Sequence, residues 1–283
     1  MGKYNKILVA LDGSEASKSA LTESFKLAFD GKKWLTVVAI NPPYQGDLSL
    51  IGVSNISSIL QGPGEKILEE AREIAEAAHA SIKTRLEEGD PYLKIIDVAE
   101  EERCELVVLG RRGKSHLERA LMGSVTARVI GHYGGKILVV PRGSSLGWKN
   151  ILVAADGSRD SEAALQEAIN YAQSYDGSLS VVNVVDVTDE FEALAPGILD
   201  KMIEKSRSYL EEIRQRITAA GVPAEIFVRQ GEPYQVITDL ASQINADTIV
   251  MGTHGRTGIT RIFMGSVTAR VIGHARCPVL VVK

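Results

Sequence analysis

Two stretches rich in glycine are the parts of this chain whose spacing suggests chemistry. Gly110 and Gly113 are followed, after nine intervening residues, by Gly123 and Ser124. The same spacing returns later in the chain, at Gly252, Gly255, Gly265 and Ser266. Glycines permit positive φ and let a ligand approach the backbone, and the first turn of a helix exposes N–H groups that bind anions. The spacing predicts a phosphate-binding loop in each half.

Basic residues lie inside both loops at matched positions. They are Lys114 and Arg119 in the first half and Arg256 and Arg261 in the second. Positive side chains beside free N–H groups favour a phosphate ligand. The alternative is a tight connection from a strand to a helix, in which the serine is simply the N-cap. The residues alone leave both interpretations open.

The two loops differ at one position that bears on binding. His116 of the first half stands where the second half has Gly258, and Glu118 adds a negative charge close by. A glycine can supply a positive φ that histidine rarely adopts, and a carboxylate repels phosphate. The sequence therefore predicts that the second half binds at least as tightly as the first.

A second candidate feature is the Asp-Gly-Ser that ends the first apolar run of each half. Asp12 precedes Gly13, and Asp156 precedes Gly157. An aspartate at this place either contacts a ligand or only forms the turn, because Asp-Gly pairs end strands for backbone reasons alone. Both roles stay open at this stage.

These features recur because the chain is a duplication. Met122–His132 and Met264–His274 are the same eleven residues, 142 positions apart. Further matches place one unit at about Gly2–Arg142 and the other at Trp148–Lys283, so we predict domains at 1–143 and 148–283. The residues 143–147 between them are short, polar and glycine-rich, as in a linker.

Each unit alternates apolar runs with amphipathic stretches. In the first unit the predicted strands are 7–11, 34–40, 81–86, 106–109 and 136–140, and the predicted helices are 15–29, 65–80, 91–102 and a segment starting near 124. Asp90 and Pro91 form a typical helix start. Such alternation predicts an α/β fold, an open parallel sheet with helices on both faces.

The pattern resembles the universal stress protein family in its tandem two-domain form. The resemblance rests on the Asp-Gly-Ser after the first strand, the G-x-x-G-x9-G-S spacing and the final strand, such as CPVLVVK, and it covers nearly all of each half. It implies two five-stranded sheets of strand order 3-2-1-4-5. Ligands of such sheets bind where the strand order reverses, between strands 1 and 4.

Members with this glycine motif bind ATP, so the resemblance implies an adenine-nucleotide site (ATP, ADP or AMP) in each half. The implied site residues are Asp12, Ile40, Leu109, Gly110, Gly113, Gly123 and Ser124, then Asp156, Val184, Met251, Gly252, Gly255, Gly265 and Ser266. The glycines and serines would hold ribose and phosphates, and the apolar residues would flank adenine. Asp12 and Asp156 would lie near the ribose and a nucleotide-bound magnesium ion. Core packing is the alternative for the apolar residues.

Composition excludes several classes of partner. The 283 residues carry a net charge of −4 and only 5% aromatic residues, which argues against binding to nucleic acid or membranes. The start MGKYNKILVA lacks a signal-peptide core, so we expect a cytoplasmic protein. Cys104 and Cys277 are too few for a disulfide framework and are expected to be structural thiols.

No catalytic residue is assigned, because paired carboxylates and nucleophile–base spacings are not evident in the sequence. A Walker P-loop fails because its first glycine would fall on Val108. The sequence favours a nucleotide-binding regulator of a stress response that acts on unknown protein partners. An interaction scaffold and a slow ATPase or autophosphorylating protein stay open. By the resemblance, the fifth strands would pair within the chain as a pseudo-dimer, with a further homodimer left open.

Overall fold

Each half of the chain folds around its own parallel sheet. The computed structural model describes residues 4–28, 34–43, 56–113, 122–187, 197–255 and 264–283, with the backbone alone at 56–61. Contacts divide the chain into two compact units, Gly2–Gly143 and Ser144–Lys283.

The first unit alternates strands and helices in the order that its sequence predicts. Its elements are β1 Lys6–Leu11, α1 Glu15–Ala28, β2 Trp34–Asn41, α2 Ile56–Ala77, β3 Lys83–Glu88, α3 Pro91–Glu101, β4 Leu106–Gly110, α4 Ser124–His132 and β5 Lys136–Val140. The five strands lie side by side in the order β3-β2-β1-β4-β5, and their neighbours pair in parallel.

The second unit repeats this plan. Its elements are β6 Asn150–Ala154, α5 Arg159–Tyr175, β7 Ser178–Val185, α6 Ile198–Ala219, β8 Ala224–Gln230, α7 Pro233–Gln243, β9 Thr248–Gly252, α8 Ser266–His274 and β10 Val279–Val282. The strand order is β8-β7-β6-β9-β10, again all parallel. The predicted α/β class and the strand order 3-2-1-4-5 are confirmed in both units.

The strand order places the helices on both faces. Right-handed crossovers run in one direction from β1 to β3 and in the other from β4 to β5, so α1 and α2 cover one face and α3 and α4 the other. Contacts of α1 with α2, and of α3 with α4, agree with these two layers. The central strands are apolar on both sides; Ile7, Leu8 and Val9 of β1 have no exposed surface.

Three local predictions need correction. Helix α2 begins at Ile56, nine residues before the predicted start, and continues through Pro63. Strand β3 lies at Lys83–Glu88, two residues later than predicted. The end of the predicted linker is not a free connection, because the Gly147 carbonyl accepts a hydrogen bond from Thr248 Oγ1 at 2.8 Å.

The segment after the linker is anchored by aromatic packing. Trp148 is 5% exposed, and its ring stacks on Tyr171 of α5 with 3.7 Å between centroids. Stacked aromatic rings add to the free energy gained from burial. Trp148 therefore belongs to the core of the second unit.

Candidate functional site

A cavity of about 740 Å³ opens in the second unit at the carboxyl ends of β6, β7 and β9. Its lining includes every second-half residue of the predicted site: Asp156, Val184, Met251, Gly252, Gly255, Gly265 and Ser266. This volume is in the range of cavities that hold drug-sized ligands. The position agrees with the rule that open α/β sheets bind ligands where the strand order reverses.

One side of the cavity is apolar. Val182 and Val184 of β7, Ile237 of α7 and Met202 of α6 contribute to this wall. Met202 is one of the exposed large apolar side chains of the chain, at 37%. An apolar wall of this kind suits a flat, weakly polar ring.

The start of helix α8 also lines the cavity. Gly265 is the N-cap, with φ −58° and ψ 145°, and no side chain bonds to the cap. The N–H groups of the first turn and the positive end of the helix dipole favour an anion there. Gly123 holds the same position before α4, with φ −66°.

The serines do not cap these helices. Ser124 and Ser266 are the first helical residues and are exposed, so the N-cap interpretation is wrong for both. The hydroxyl that ties helix to strand comes from two residues further on. Thr126 Oγ1 donates to the Gly110 carbonyl and Thr268 Oγ1 to the Gly252 carbonyl, each at 3.0 Å.

The glycines of the motif serve close approach rather than positive φ. Among the described residues, the left-handed glycines include Gly13 (φ 74°) and Gly157 (φ 77°) but none of the motif. A Cβ on Gly110 would lie 2.7 Å from the backbone nitrogen of Ser17, and one on Gly252 would lie 2.9 Å from that of Ser161. The first glycine of each motif is therefore required for packing of a helix on the strand end.

The second glycine of each motif lies against the aspartate after the first strand. A Cβ on Gly255 would lie 2.8 Å from Asp156 Oδ2, and one on Gly113 would clash with Asp12 Oδ2. The other carboxylate oxygen accepts a hydrogen bond from the backbone of Ser14 (3.0 Å) or Ser158 (2.9 Å). Each aspartate thus forms the turn and also borders the glycine loop, so the two proposed roles are compatible.

A serine links the two loops of each unit. Ser14 Oγ donates to the Arg112 carbonyl and Ser158 Oγ donates to the His254 carbonyl, both at 3.2 Å. Each hydroxyl also accepts the first-turn N–H of the following helix, from Ser17 or Ser161, at 3.2 Å. These bonds hold the loop after the first strand and the loop after the fourth strand together.

The predicted residues of the first unit lie at the matched positions of its own fold. Ile40 is half-buried near the end of β2, and Leu109 is 3% exposed at the end of β4. The remaining predicted residues, Asp12, Gly110, Gly113, Gly123 and Ser124, lie at the ends of β1 and β4 and at the start of α4. Several residues of the sequence argument lie outside the described part of the chain: Lys114, His116, Glu118, Arg119, Arg256, Gly258 and Arg261.

Comparison with known proteins supports the family that the motifs indicate. The model of the universal stress protein family matches residues 3–141 and again 147–283. The chain belongs to the universal stress protein family. A universal stress protein of Methanocaldococcus jannaschii is 37% identical over 149 residues, which is 51% of this chain and 87% of that protein.

Other comparisons extend the same finding. A putative universal stress protein of Staphylococcus haemolyticus is 36% identical over 146 residues, 49% of this chain and 86% of its own length. The crystal structure of a universal stress protein from Archaeoglobus fulgidus covers 99% of this chain and 96% of its own, with a TM-score of 0.77. At 23% identity, that likeness shows the fold alone.

The two stress-protein units differ beside the glycine loop. In the second unit, Asp160 Oδ2 accepts a 2.6 Å hydrogen bond from Thr253 Oγ1, and His254 Nδ1 lies 3.4 Å from the same oxygen. The matched residues of the first unit are Ala16, Arg111 and Arg112. Burial and the neighbouring charge of Arg112 lower the pKa of Arg111. The sequence assigned no role to Asp160 or Thr253, because only the fold brings α5 against the end of β9.

The structure adds two findings on metals and membranes. Within the described ranges there is no group of three His, Cys, Asp or Glu residues that could hold a metal ion. The place of Asp12 and Asp156 near a nucleotide-bound magnesium ion stays a prediction. Among the described helices, none is long and apolar enough to cross a membrane.

The pKa of each cysteine thiol is raised. Burial raises the pKa of Cys104 to about 11, with the charge of Glu102 as a further cause. Burial raises the pKa of Cys277 to about 11 as well. Since only the thiolate is nucleophilic, a structural role suits both residues.

Proposed function

We propose that this protein is an adenine-nucleotide-binding regulator of a stress response, with ATP, ADP or AMP bound in the second unit and at the matched site of the first. The observation that carries the proposal is the cavity of about 740 Å³, whose lining joins all seven predicted second-half residues. Family membership supports it, because the glycine motif resembles that of members that bind ATP.

The lining has residues that suit each part of a nucleotide. The apolar wall around Val184 and Met251 would flank adenine. Asp156 would face the ribose and a magnesium ion brought with the phosphates. The first turn of α8 behind Gly265, which no side chain caps, would receive the phosphates.

We propose regulation rather than rapid turnover, because paired carboxylates and nucleophile–base spacings are not evident in the sequence. The Thr253 hydroxyl lies 3.0 Å from His254 Nδ1, but it is buried and donates to Asp160. We therefore expect any hydrolysis to be very slow beside the median enzyme rate of about 10 per second. A slow ATPase or autophosphorylating protein is the second candidate, and His254, which lines the cavity, favours it. A nucleotide-independent scaffold is the third.

A protein partner that distinguishes the bound from the free state would complete the regulatory role, and its identity is unknown. Location in the cytoplasm, exclusion of nucleic acid and membranes as partners, pairing of the fifth strands within the chain and a further homodimer stay predictions from the sequence.

Two measurements test the proposal. Mass spectrometry of the denatured protein is expected to detect co-purified adenine nucleotide. Calorimetric titration of the nucleotide-free protein with ATP, ADP and AMP is expected to give binding, with GTP as the control for base selectivity. If ATP, ADP, AMP and GTP all fail to bind at millimolar concentration, the nucleotide-independent scaffold becomes the favoured function.

A further inference from the structure

Methionines are concentrated at the cavity of the second unit. Of the five methionines in the chain, Met202, Met251 and Met264 contribute to its lining. Met202 lies in the second turn of α6, Met251 lies near the end of β9, and Met264 comes shortly before the start of α8. An apolar wall can be built from leucine as well, so the thioethers add a chemical property that binding alone does not require.

Met202 belongs to the apolar side of α6. It comes eight residues before Leu210 and eleven before Ile213, so the helical period places the three side chains on one side of the helix. Helix α6 packs on β7 and β8, and Leu210 and Ile213 are fully buried. Met202 instead keeps 37% of its surface exposed and borders the cavity. The apolar side of α6 therefore continues beyond the sheet to the cavity, where a bound ligand would cover it.

Exposure distinguishes Met202 from the other two methionines. Met251 is 4% exposed, so its sulfur is shielded from solutes in water. Met264 is half-buried and lies at the helix start rather than on the apolar wall. Oxidation of a methionine requires that the oxidant reach the sulfur. Met202 is thus the methionine of the apolar wall that is open to a dissolved oxidant.

Hydrogen peroxide oxidises a thioether by oxygen transfer. The sulfur lone pair attacks one peroxide oxygen, so that an S–O bond forms and the O–O bond breaks. The sulfur gives up an electron pair, and the second peroxide oxygen leaves as water with both protons. The product is methionine sulfoxide, whose side chain is polar where the thioether was apolar.

We propose that Met202 is an oxidation site, and that its conversion to the sulfoxide by a peroxide weakens nucleotide binding in the second unit. This inference rests on the proposed function and adds a regulation of the same site. The sulfoxide places a polar S–O group on the wall that Val182 and Val184 form with Met202 beside the adenine ring. A polar group that is buried there without a hydrogen-bond partner lowers the affinity. Reductases that return the sulfoxide to the thioether restore it.

The two cysteines of the chain compete little for the oxidant. Peroxide reacts with the thiolate form of cysteine. Burial raises the pKa of Cys104 and of Cys277 to about 11, so few thiolates exist at neutral pH. A thioether has no proton to lose, and the oxidation of Met202 does not depend on such an equilibrium.

The first unit has leucines in place of the two methionines of the apolar wall. Leu109 stands where Met251 is. Leu60 stands where Met202 is when helices α2 and α6, of 22 residues each, are matched end to end. Leucine has no sulfur for a peroxide to oxidise. The response is therefore assigned to the second unit, and Met202→Leu gives this position the side chain of the first unit.

The test compares the affinity of the full chain for ATP before and after hydrogen peroxide, at a dose that fully oxidises free methionine. Wild type, Met202→Leu and the controls Met251→Leu and Met264→Leu are titrated calorimetrically. Each protein is compared with its own untreated sample, because the substitutions can change the starting affinity. Peptide mass spectrometry locates the added oxygen atoms, and circular dichroism monitors the fold of the treated samples.

We expect peroxide to raise the Kd for ATP at one site by about tenfold in wild type, Met251→Leu and Met264→Leu. The other site, in the first unit, is the unchanged reference in the same titration. In Met202→Leu the Kd after treatment should stay within about twofold of its starting value. Methionine sulfoxide reductases for both epimers should restore the wild-type Kd. ATP present during treatment should slow the gain of oxygen at Met202, because the ligand covers the sulfur.

The same response to peroxide in Met202→Leu as in wild type would overturn the inference. Two further results would do so: an oxidised Met202 with an unchanged Kd, and a Met202 that peroxide leaves unmodified. In these cases untreated wild type still binds ATP, and the proposed function stands. If untreated wild type binds none of ATP, ADP and AMP, the proposed function and this inference both fail.

Discussion

The same hydrogen bonds connect the loops of the candidate site in both units, and we call this set of bonds the frame. The side chains beside the frame differ between the units. In both, a serine links the loop after the first strand to the loop after the fourth, and a threonine ties the following helix to the strand end. Beside the glycine loop, the second unit has a carboxylate, a hydroxyl and an imidazole, where the first has a methyl group and two guanidiniums. The two copies of the unit share the contacts that shape the candidate site and differ in the side chains beside the glycine loop.

The shared frame also explains the repeated eleven residues. Helices α4 and α8 bury their threonine, valine, isoleucine and glycine positions. Their exposed arginines are engaged as well, because Arg128 bonds to Asp90 and Arg270 to Glu232 at the start of the preceding helix. Both faces of the helix therefore have structural contacts that a change would disturb.

The largest expected effect is equal in the two units. Gly110→Ala and Gly252→Ala would each place a Cβ within 3 Å of the backbone of the facing helix, at Ser17 or Ser161. Overpacking of this kind should cost about 3 kcal/mol and lower Tm by about 10 °C. Thermal unfolding followed by circular dichroism measures it. Gly134→Ala is the control, because its Cβ would meet no atom within 4 Å. If Gly110→Ala or Gly252→Ala unfolds at the Tm of the wild type, the two units do not share this part of the frame.

The next effect separates the two units by ligand affinity. Gly265→Val should abolish the tighter nucleotide site, and Gly123→Val should have the smaller effect on total affinity. ATP at a hundred times its Kd should stabilise an intact site by about 2.7 kcal/mol, and that stabilisation is read as a thermal shift. A Cβ at Gly265 would lie 3.0 Å from the Thr253 carbonyl oxygen, so Tm without ligand must be measured first.

These two variants test the ranking of the two units by nucleotide affinity. Loss of the tight site in Gly123→Val, with Gly265→Val unaffected, would reverse it. No change in either variant would mean that the glycine loops are structural connections and that the phosphate argument fails.

A smaller effect tests the cluster found only in the second unit. Thr253→Val keeps the shape of the side chain but removes the 2.6 Å hydrogen bond to Asp160. Loss of a buried bond to a charged group should cost about 2 kcal/mol. Denaturant unfolding measures the change. Thr238→Val, which removes only a hydroxyl bonded to its own helix, is the control and should change stability by less than about 0.5 kcal/mol. Equal costs would show that Thr253 contributes no more than an ordinary helix hydroxyl.

The smallest effect is expected at the surface, where the units again match. Arg128→Ala and Arg270→Ala each remove an exposed ion pair, at 3.3 Å and 2.9 Å, and a contact with the ring of Tyr92 or Tyr234. Each should cost about 1 kcal/mol or less. The Arg128 guanidinium lies nearer its ring, 3.5 Å against 5.1 Å, so its loss should be the larger. Unfolding midpoints in low and high salt decide whether charge or stacking dominates.

Prediction from the sequence succeeded where the local signal and the fold agree. Asp90 and Pro91 mark the start of α3, and in the structure Asp90 Oδ1 accepts from the Tyr92 nitrogen at 3.3 Å. It failed at Gly62–Gly64, which has the composition of a helix break but lies inside α2. A Cβ on Gly64 would lie 2.6 Å from Asn41 Oδ1, so this glycine permits α2 to approach the sheet.

The sequence by itself determined the duplication and the α/β class, because strand and helix patterns alternate twice along the chain. Its resemblance to the family implied the strand order and the residues that border the cavity of the second unit. Tertiary structure alone decided the role of each glycine, since close approach depends on which helix faces it and not on local φ preference. It also decided that Asp160 contacts His254, because the two residues are 94 positions apart and meet only where α5 packs on the end of β9.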